Sequence, residues 1–227
     1  MTSWQGSRIS CRFAGRAAGA EAAPVKVLSK TQLRHALLTV DDLPSGFRID
    51  RSASKKSNDD VTVSSNDPAC QSSLNMTDPA RTPGQVSETE ADFKRERDSA
   101  FAFSYEAATV GLAAFRSAAA VRKDFAANAP QLRACHAISM DMGDGTKISF
   151  TVKTKVRRTD DRHRTFVMLL HGGYMGIHMN MAMTVSQERN YEVTTMLMGA
   201  NRSMTYVTKL ANTLRRDQIA KLTASMR

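Results

Sequence analysis

Between Lys147 and Arg157 the chain alternates without a break. Ile148, Phe150, Val152, Thr154 and Val156 hold the even positions, and Lys147, Ser149, Thr151, Lys153, Lys155 and Arg157 the odd ones. Period two is the signature of a β-strand with unlike faces, here one apolar and one basic. Ile177, Met179, Met181, Met183 and Val185 repeat the pattern, with His178, Asn180, Ala182, Thr184 and Ser186 between them. Phe166–Leu170 is apolar throughout, as a central strand buried on both faces would be. The run His171-Gly172-Gly173-Tyr174-Met175-Gly176 predicts the turn into the methionine strand, and Glu188-Arg189-Asn190 a second turn into Tyr191–Met198. Phe101, Phe103 and Tyr105 alternate with small or polar residues and predict a strand over 98–108, and Phe47-Arg48-Ile49 an edge strand.

Three stretches carry helical spacing instead. Residues 28–39 place Leu33, Leu37 and Leu38 on one stripe, with Ser29 or Thr31 as the cap. Leu112–Ala129 is rich in alanine, with Phe115, Ala118, Ala119, Arg122 and Phe125 on neighbouring turns and Pro130 either ending it or beginning another turn that carries Leu132 and Cys135. From about Ser203 to Ser225, Met204, Val207, Leu210, Ala211, Leu214, Ile219 and Leu222 form a closing stripe. Residues 50–92 read as irregular. Residues 1–27 read as a disordered tail or leader remnant, and 28–227 as a single domain. The fold class expected is α+β: an antiparallel sheet of about five to seven strands, with helices packed on its apolar face and a closing C-terminal helix.

The chain has 227 residues, of which 41% are hydrophobic and 24% charged, so a substantial core is within reach. A formal net charge of +10 favours anionic partners. The densest basic feature is the hairpin carrying Lys153, Lys155, Arg157, Arg158, Arg162 and Arg164, a candidate site for an anionic polymer or nucleic acid. No aromatic residues interleave with these charges, as a platform for stacked bases requires. No apolar run reaches 18 residues, and the arginine-bearing start lacks the apolar core of an export signal. Of Cys11, Cys70 and Cys135, the last two fall within the expected domain. Spacing leaves them open between a disulfide and two buried thiols.

Most catalytic and metal chemistries fail on their own requirements. Phe166–Gly173 resembles a strand feeding a glycine-lined oxyanion loop, but a hydrolase of that type needs a G-x-S-x-G nucleophile turn, and the chain has none. The five histidines make no zinc spacing. His171 and His178 flank one hairpin without a thiolate or carboxylate partner, and Asp141–Gly145 is too short for a calcium loop. No cofactor is expected. The methionines admit two readings: an ordinary core, or a deformable apolar groove whose ligand site includes Met179, Met181 and Met183.

Four segments, taken together, resemble a known family. Leu37-Leu38-Thr39-Val40-Asp41-Asp42-Leu43-Pro44-Ser45-Gly46-Phe47 looks like the opening of the PknH-like extracellular sensor domain. Cys70, within Asp67-Pro68-Ala69-Cys70, stands where that family has its first cysteine, and Cys135, after the alanine-rich helix, where it has the partner. Arg216-Asp217-Gln218-Ile219-Ala220-Lys221-Leu222 is similar to its closing helix. The resemblance covers about residues 28–225. It implies an antiparallel sheet with packed helices, a Cys70–Cys135 disulfide and a cleft for an extracytoplasmic ligand. The implied role is a non-enzymatic sensor of the actinobacterial cell envelope, lipoprotein-like, whose partner is a small molecule, lipid or cell-wall component. The family supplies no catalytic residues to carry over, and its second disulfide has no cysteines here.

Overall fold

The computed structural model describes residues 27–51, 62–68, 70–71, 82–99, 102–141, 146–158 and 163–227. The described residues form one sheet of nine antiparallel strands in the order β1-β3-β4-β9-β8-β7-β6-β5-β2. Its short edges are β1 (Arg48–Ile49) and β2 (Thr62–Ser64). A hairpin of β3 (Gln85–Ser99) and β4 (Ala102–Phe115) comes next in the chain. Helix α2 (Ala118–Arg133) then carries the chain across to β5 (Ala137–Asp141). From there a meander of β6 (Lys147–Arg158), β7 (His163–Tyr174), β8 (Ile177–Glu188) and β9 (Tyr191–Ala200) returns to pair with β4. The class is the expected α+β, with more strands than expected.

Helix α1 (Lys30–Ala36) begins at Ser29, whose hydroxyl accepts from the Gln32 N–H while the Gln32 side chain accepts from the Ser29 N–H. This capping box satisfies two otherwise orphaned donors. The helix is shorter than its apolar stripe suggested. Leu37 and Leu38 lie beyond its end and are buried all the same. Helix α3 (Met204–Ser225) starts at Ser203 and buries Val207, Leu210, Ala211, Leu214 and Leu222, as its periodicity requires. It also buries Gln218, which accepts from the Leu38 N–H at 2.9 Å and donates to the Ala36 carbonyl at 2.7 Å, tying α3 to the end of α1.

Three readings are corrected by tertiary pairing. Leu112 and Phe115 belong to β4, not to a helix, because Val110, Leu112 and Ala114 share a period-two face that packs beside β9. The helix starts at Ala118 and runs through Pro130, interrupting its ladder at a turn where Ala126 and Ala127 are exposed. The irregular stretch ends at β3, a fifteen-residue strand. Its alternation was hidden because one buried position carries a charge: Phe93 and Arg95 are neighbours on one face, 2% and 4% exposed. The Arg95 guanidinium donates to Glu106 of β4 (Nε to Oε2, 3.0 Å) and to the Ser45 carbonyl at 3.0 Å, and lies 4.4 Å from the Phe47 ring centroid. Glu106 also accepts from Arg202 Nε at 2.6 Å and from the Tyr206 hydroxyl at 3.2 Å.

The two glycines read as a turn lie inside β7. A Cβ on Gly172 would come 2.4 Å from the Ser149 carbonyl oxygen and 2.8 Å from the Phe150 ring, so the strand admits only glycine there. The turn itself is Met175-Gly176, both at positive φ (49° and 81°).

The sheet is not greasy on one side and charged on the other. That holds for β6, where Ile148, Phe150 and Val152 are buried and Lys153, Lys155 and Arg157 are exposed. In β8 the supposedly outward Asn180, Ala182, Thr184 and Ser186 are buried on the face that α3 packs against. Their polar atoms find partners there: Thr184 with Thr195 at 2.6 Å, and Asn180 with the Arg202 carbonyl at 2.7 Å. The other face is capped by α2 and by Cys70, with Phe125, Phe150, Phe166, Met168 and Met181 between.

Cys70 and Cys135 form a disulfide, with Cα atoms 4.7 Å apart and a sequence separation of 65. Both are buried in the α2-side core. Closing so long a loop costs the unfolded chain about 4 kcal/mol of entropy. The C70A/C135A double variant is expected to unfold about 4 kcal/mol more easily than the oxidised wild type in urea titrations at equal protein concentration.

Candidate functional site

Beneath α2 the sheet is not fully covered. A half-open groove of about 830 Å³ runs between the helix and the face of the sheet opposite α3. Its floor comes from β4 (Thr109, Gly111, Ala113), β9 (Glu192, Thr194) and β8 (Met183, Val185). Its roof is Asp124, Phe125, Asn128, Ala129 and Leu132 of α2. Small residues on β4 leave the space open: a Cβ on Gly111 would meet only ordinary contacts, the nearest 3.6 Å away. Phe166 closes the groove on the β7 side, and Glu88, Glu90, Lys30 and Arg34 stand at its mouth.

Among the ionisable lining residues the acids outnumber the bases, four to two. Glu192 has its pKa raised from 4.5 to about 7, chiefly by burial and then by the neighbouring Asp124 charge. Burial also raises Asp124, opposed by a hydrogen bond that Asn128 donates at 3.1 Å. Glu90 is raised by burial, then by Asp92 and Glu88. Directly across from Glu192 in register, on the same face, stands Gln187. It is 2% exposed, and neither its amide nitrogen nor its oxygen has a partner. One strand further along the row is Arg164, whose buried Nε is also unpartnered.

The residues singled out by sequence divide as follows. Met181 is spent in the core at 7% exposure, and Met179 packs against the same cluster. Of the three methionines, Met183 lines the groove. Lys153, Lys155 and Arg157 share one exposed face of β6, on the α3 side of the sheet. Arg158 pairs in register with Arg164, and Arg162 lies outside the described residues. The charge of Arg157 reaches Arg215 of α3, whose pKa is lowered by burial and then by that repulsion. His171 and His178 stack with ring centroids 6.5 Å apart, and His171 Nδ1 lies 2.7 Å from Asn180 Oδ1. Among the described residues no group of three or more His, Cys, Asp or Glu is placed to hold a metal ion. Sequence reasoning missed Glu192, Asp124 and Gln187. Glu192 sits at a regular polar position of a strand, and only the crossing of α2 turns that position into a groove wall.

The Glu192 shift has a definite sign. Between pH 4.5 and 7 the folded state keeps a proton that the unfolded state releases, so folding stability falls as pH rises through that window. Glu192→Gln is expected to flatten that slope, melting about 4 °C above wild type at pH 8 and level with it at pH 5 in calorimetry.

Comparison with known proteins agrees with this architecture. The sequence model of a family described as the PknH-like extracellular domain matches residues 28–214. The crystal structure of the extracellular domain of PknH from Mycobacterium tuberculosis is similar over 87% of this chain and 99% of that chain, with a TM-score of 0.60 and 13% sequence identity. At that identity the likeness concerns the fold. No curated protein matches the chain. Among the described residues no helix is long and apolar enough to cross a membrane.

Proposed function

This chain belongs to the PknH-like extracellular domain family, and from that premise we propose that it is a ligand-binding sensor domain that acts by binding rather than by catalysis. The domain is extracellular. The observation that supports ligand binding is the half-open groove beneath α2. Its volume lies within the range of small-molecule sites, and apolar walls with a few buried polar groups are the usual composition of such sites. Phe125, Leu132, Phe166, Met183 and Val185 supply the apolar part. The flexible Met183 thioether at the groove floor adapts to ligands of different outline. The ligand is a small molecule, lipid or cell-wall component, and the envelope is where such molecules are met.

The test is to fill the groove from its floor. Ala113 is half-buried and faces the space beneath α2. Nile red, a neutral polarity-sensitive dye, is expected to bind the wild type saturably with a rise in fluorescence. Ala113→Phe is expected to weaken that binding about tenfold or more, while Met175→Ala at the exposed hairpin tip leaves it unchanged. Equal binding by wild type and Ala113→Phe would remove the groove from consideration.

A second reading has its own observation. Lys153, Lys155 and Arg157 stand exposed in a row on β6, with Arg215 beside the row on α3 and its buried Nε unpartnered. Successive cations on one strand face are about 7 Å apart, a spacing a linear polyanion can follow. Inorganic polyphosphate is the probe for this row. If the row binds polyanions, affinity falls steeply and log-linearly with salt, and the K153E/K155E variant both weakens binding and flattens the salt slope. A wild-type affinity that does not change with salt would dismiss it.

A further inference from the structure

We propose that the groove takes an amphiphilic monocation, an apolar chain or ring system carrying a protonated or quaternary amine, with Glu192 as its counter-charge. This deepens the reading of the groove as a ligand site and rests on it. The first argument is the sign of the charge. The whole chain carries +10, so an arbitrary patch of its surface should be basic. The groove reverses that beneath the helix, where Glu192 and Asp124 are its ionisable groups, while at the mouth exposed Glu88 and Glu90 stand with exposed Lys30 and Arg34. An anionic ligand beneath the helix would meet two carboxyl groups and no cation of the lining there.

The second argument is that the groove's polar groups are unspent. Glu192 has no hydrogen-bond or ion-pair partner among the described residues, and burial works against its ionisation. Proteins pair buried carboxylates, because an unpaired one is costly. Gln187, in register beside it but buried outside the groove lining, gives it no hydrogen bond. A cation in the groove supplies the counter-charge that Glu192 lacks. The third argument is the walls. Phe125 and Phe166 bring aromatic rings to the same space as the acids. Aromatic faces attract cations, and quaternary ammonium groups are recognised in this way. Met183 and Val185 on the floor accept the apolar remainder.

The charged groups facing Glu192 from each packed element set its pH response. They are Asp124 from α2, Glu88 and Glu90 from β3, Lys30 and Arg34 from α1, and Arg164 two strands along the row. The acids outnumber the cations near the groove, and Glu192 changes charge near neutrality. A cationic ligand whose own charge is fixed therefore binds more tightly above pH 7 than below it.

The experiment uses the full chain and three probes of equal tail length, each below its micelle concentration: decyltrimethylammonium, decyl sulfate and decyl maltoside. Affinity is read by calorimetry at pH 8 and pH 5. The cationic probe is expected to bind about tenfold or more tightly than the other two at pH 8, with the preference shrinking severalfold at pH 5. Glu192→Gln, which should fold at least as well as wild type by its melting curve, is expected to lose the preference at pH 8, and Asp124→Asn to reduce it. Equal binding of all three probes, a preference for the sulfate, or an undiminished preference in Glu192→Gln overturns the charge assignment. If the maltoside or sulfate binds best and Ala113→Phe blocks it, the groove remains a ligand site and only the cation fails. If none of the three binds, both readings fall.

Discussion

The structure depends on one crossing. The chain leaves the sheet at the end of β4 and re-enters it at β5, with the places of β9, β8, β7 and β6 between. Five strand spacings of about 4.8 Å make roughly 24 Å. The sixteen residues of α2, at about 1.5 Å each, reach roughly the same distance. The helix is therefore a strut of nearly the required length, with little slack to settle onto the sheet. It touches β4, β6, β8 and β9 at points along its length. A helix laid over a twisted surface touches well only where the surface rises to meet it. The groove is the space left where it does not. The Cys70–Cys135 bridge holds the far end of the strut, and Phe125, itself part of the roof, packs into the same aromatic core as Phe150.

The opposite face solves a different problem. Helix α3 lies across β8 and β9 and covers a strip of sheet whose side chains are partly polar. Each has a partner there: Thr184 and Thr195 share a hydrogen bond, Asn180 reaches the Arg202 carbonyl, and Gln218 bridges to α1. The Arg95–Glu106 pair is the most demanding of these, because two buried charges stabilise little beyond the cost of their own desolvation. Its value lies in direction. Glu106 accepts from Arg95, Arg202 and Tyr206, so it ties β3, β4 and the first turn of α3 to one carboxylate. The same guanidinium holds the Ser45 carbonyl and covers Phe47, which closes the loop before β1. A slip of one residue in the β3–β4 hairpin would expose both charges to apolar surroundings.

The two faces separate the charges of the molecule in a way that bears on function. Cations are displayed in a row on β6, where water and counter-ions screen them. Acids are gathered under α2, where low polarity keeps their influence strong and raises their proton affinity. A basic protein with an acidic groove can attract anionic surroundings and still select a cationic guest.

The amino-acid sequence by itself determined the elements with a plain period: β6, β8, β9, the closing helix and the capped start of α1. It also carried, through short motifs, the family and the pairing of Cys70 with Cys135. In β6 and the closing helix one side meets a core, so the burial pattern is written directly into residue order, whereas β8 keeps its period but buries its polar positions under α3. What only the tertiary structure decided was everything that needed a second element to explain it. Arg95 within β3 makes sense only with Glu106 opposite, so the strand read as loop. Val110–Phe115 fits both strand and helix, and pairing with β9 chose between them. Gly172 and Gly173 read as a turn until the Phe150 ring and the neighbouring backbone required a strand without side chains. The groove was the least legible feature of all. Glu192 and Asp124 are 68 residues apart in sequence and belong to a strand and a helix that meet only because α2 spans the sheet, and no local pattern of polar and apolar positions encodes the height at which one element passes over another.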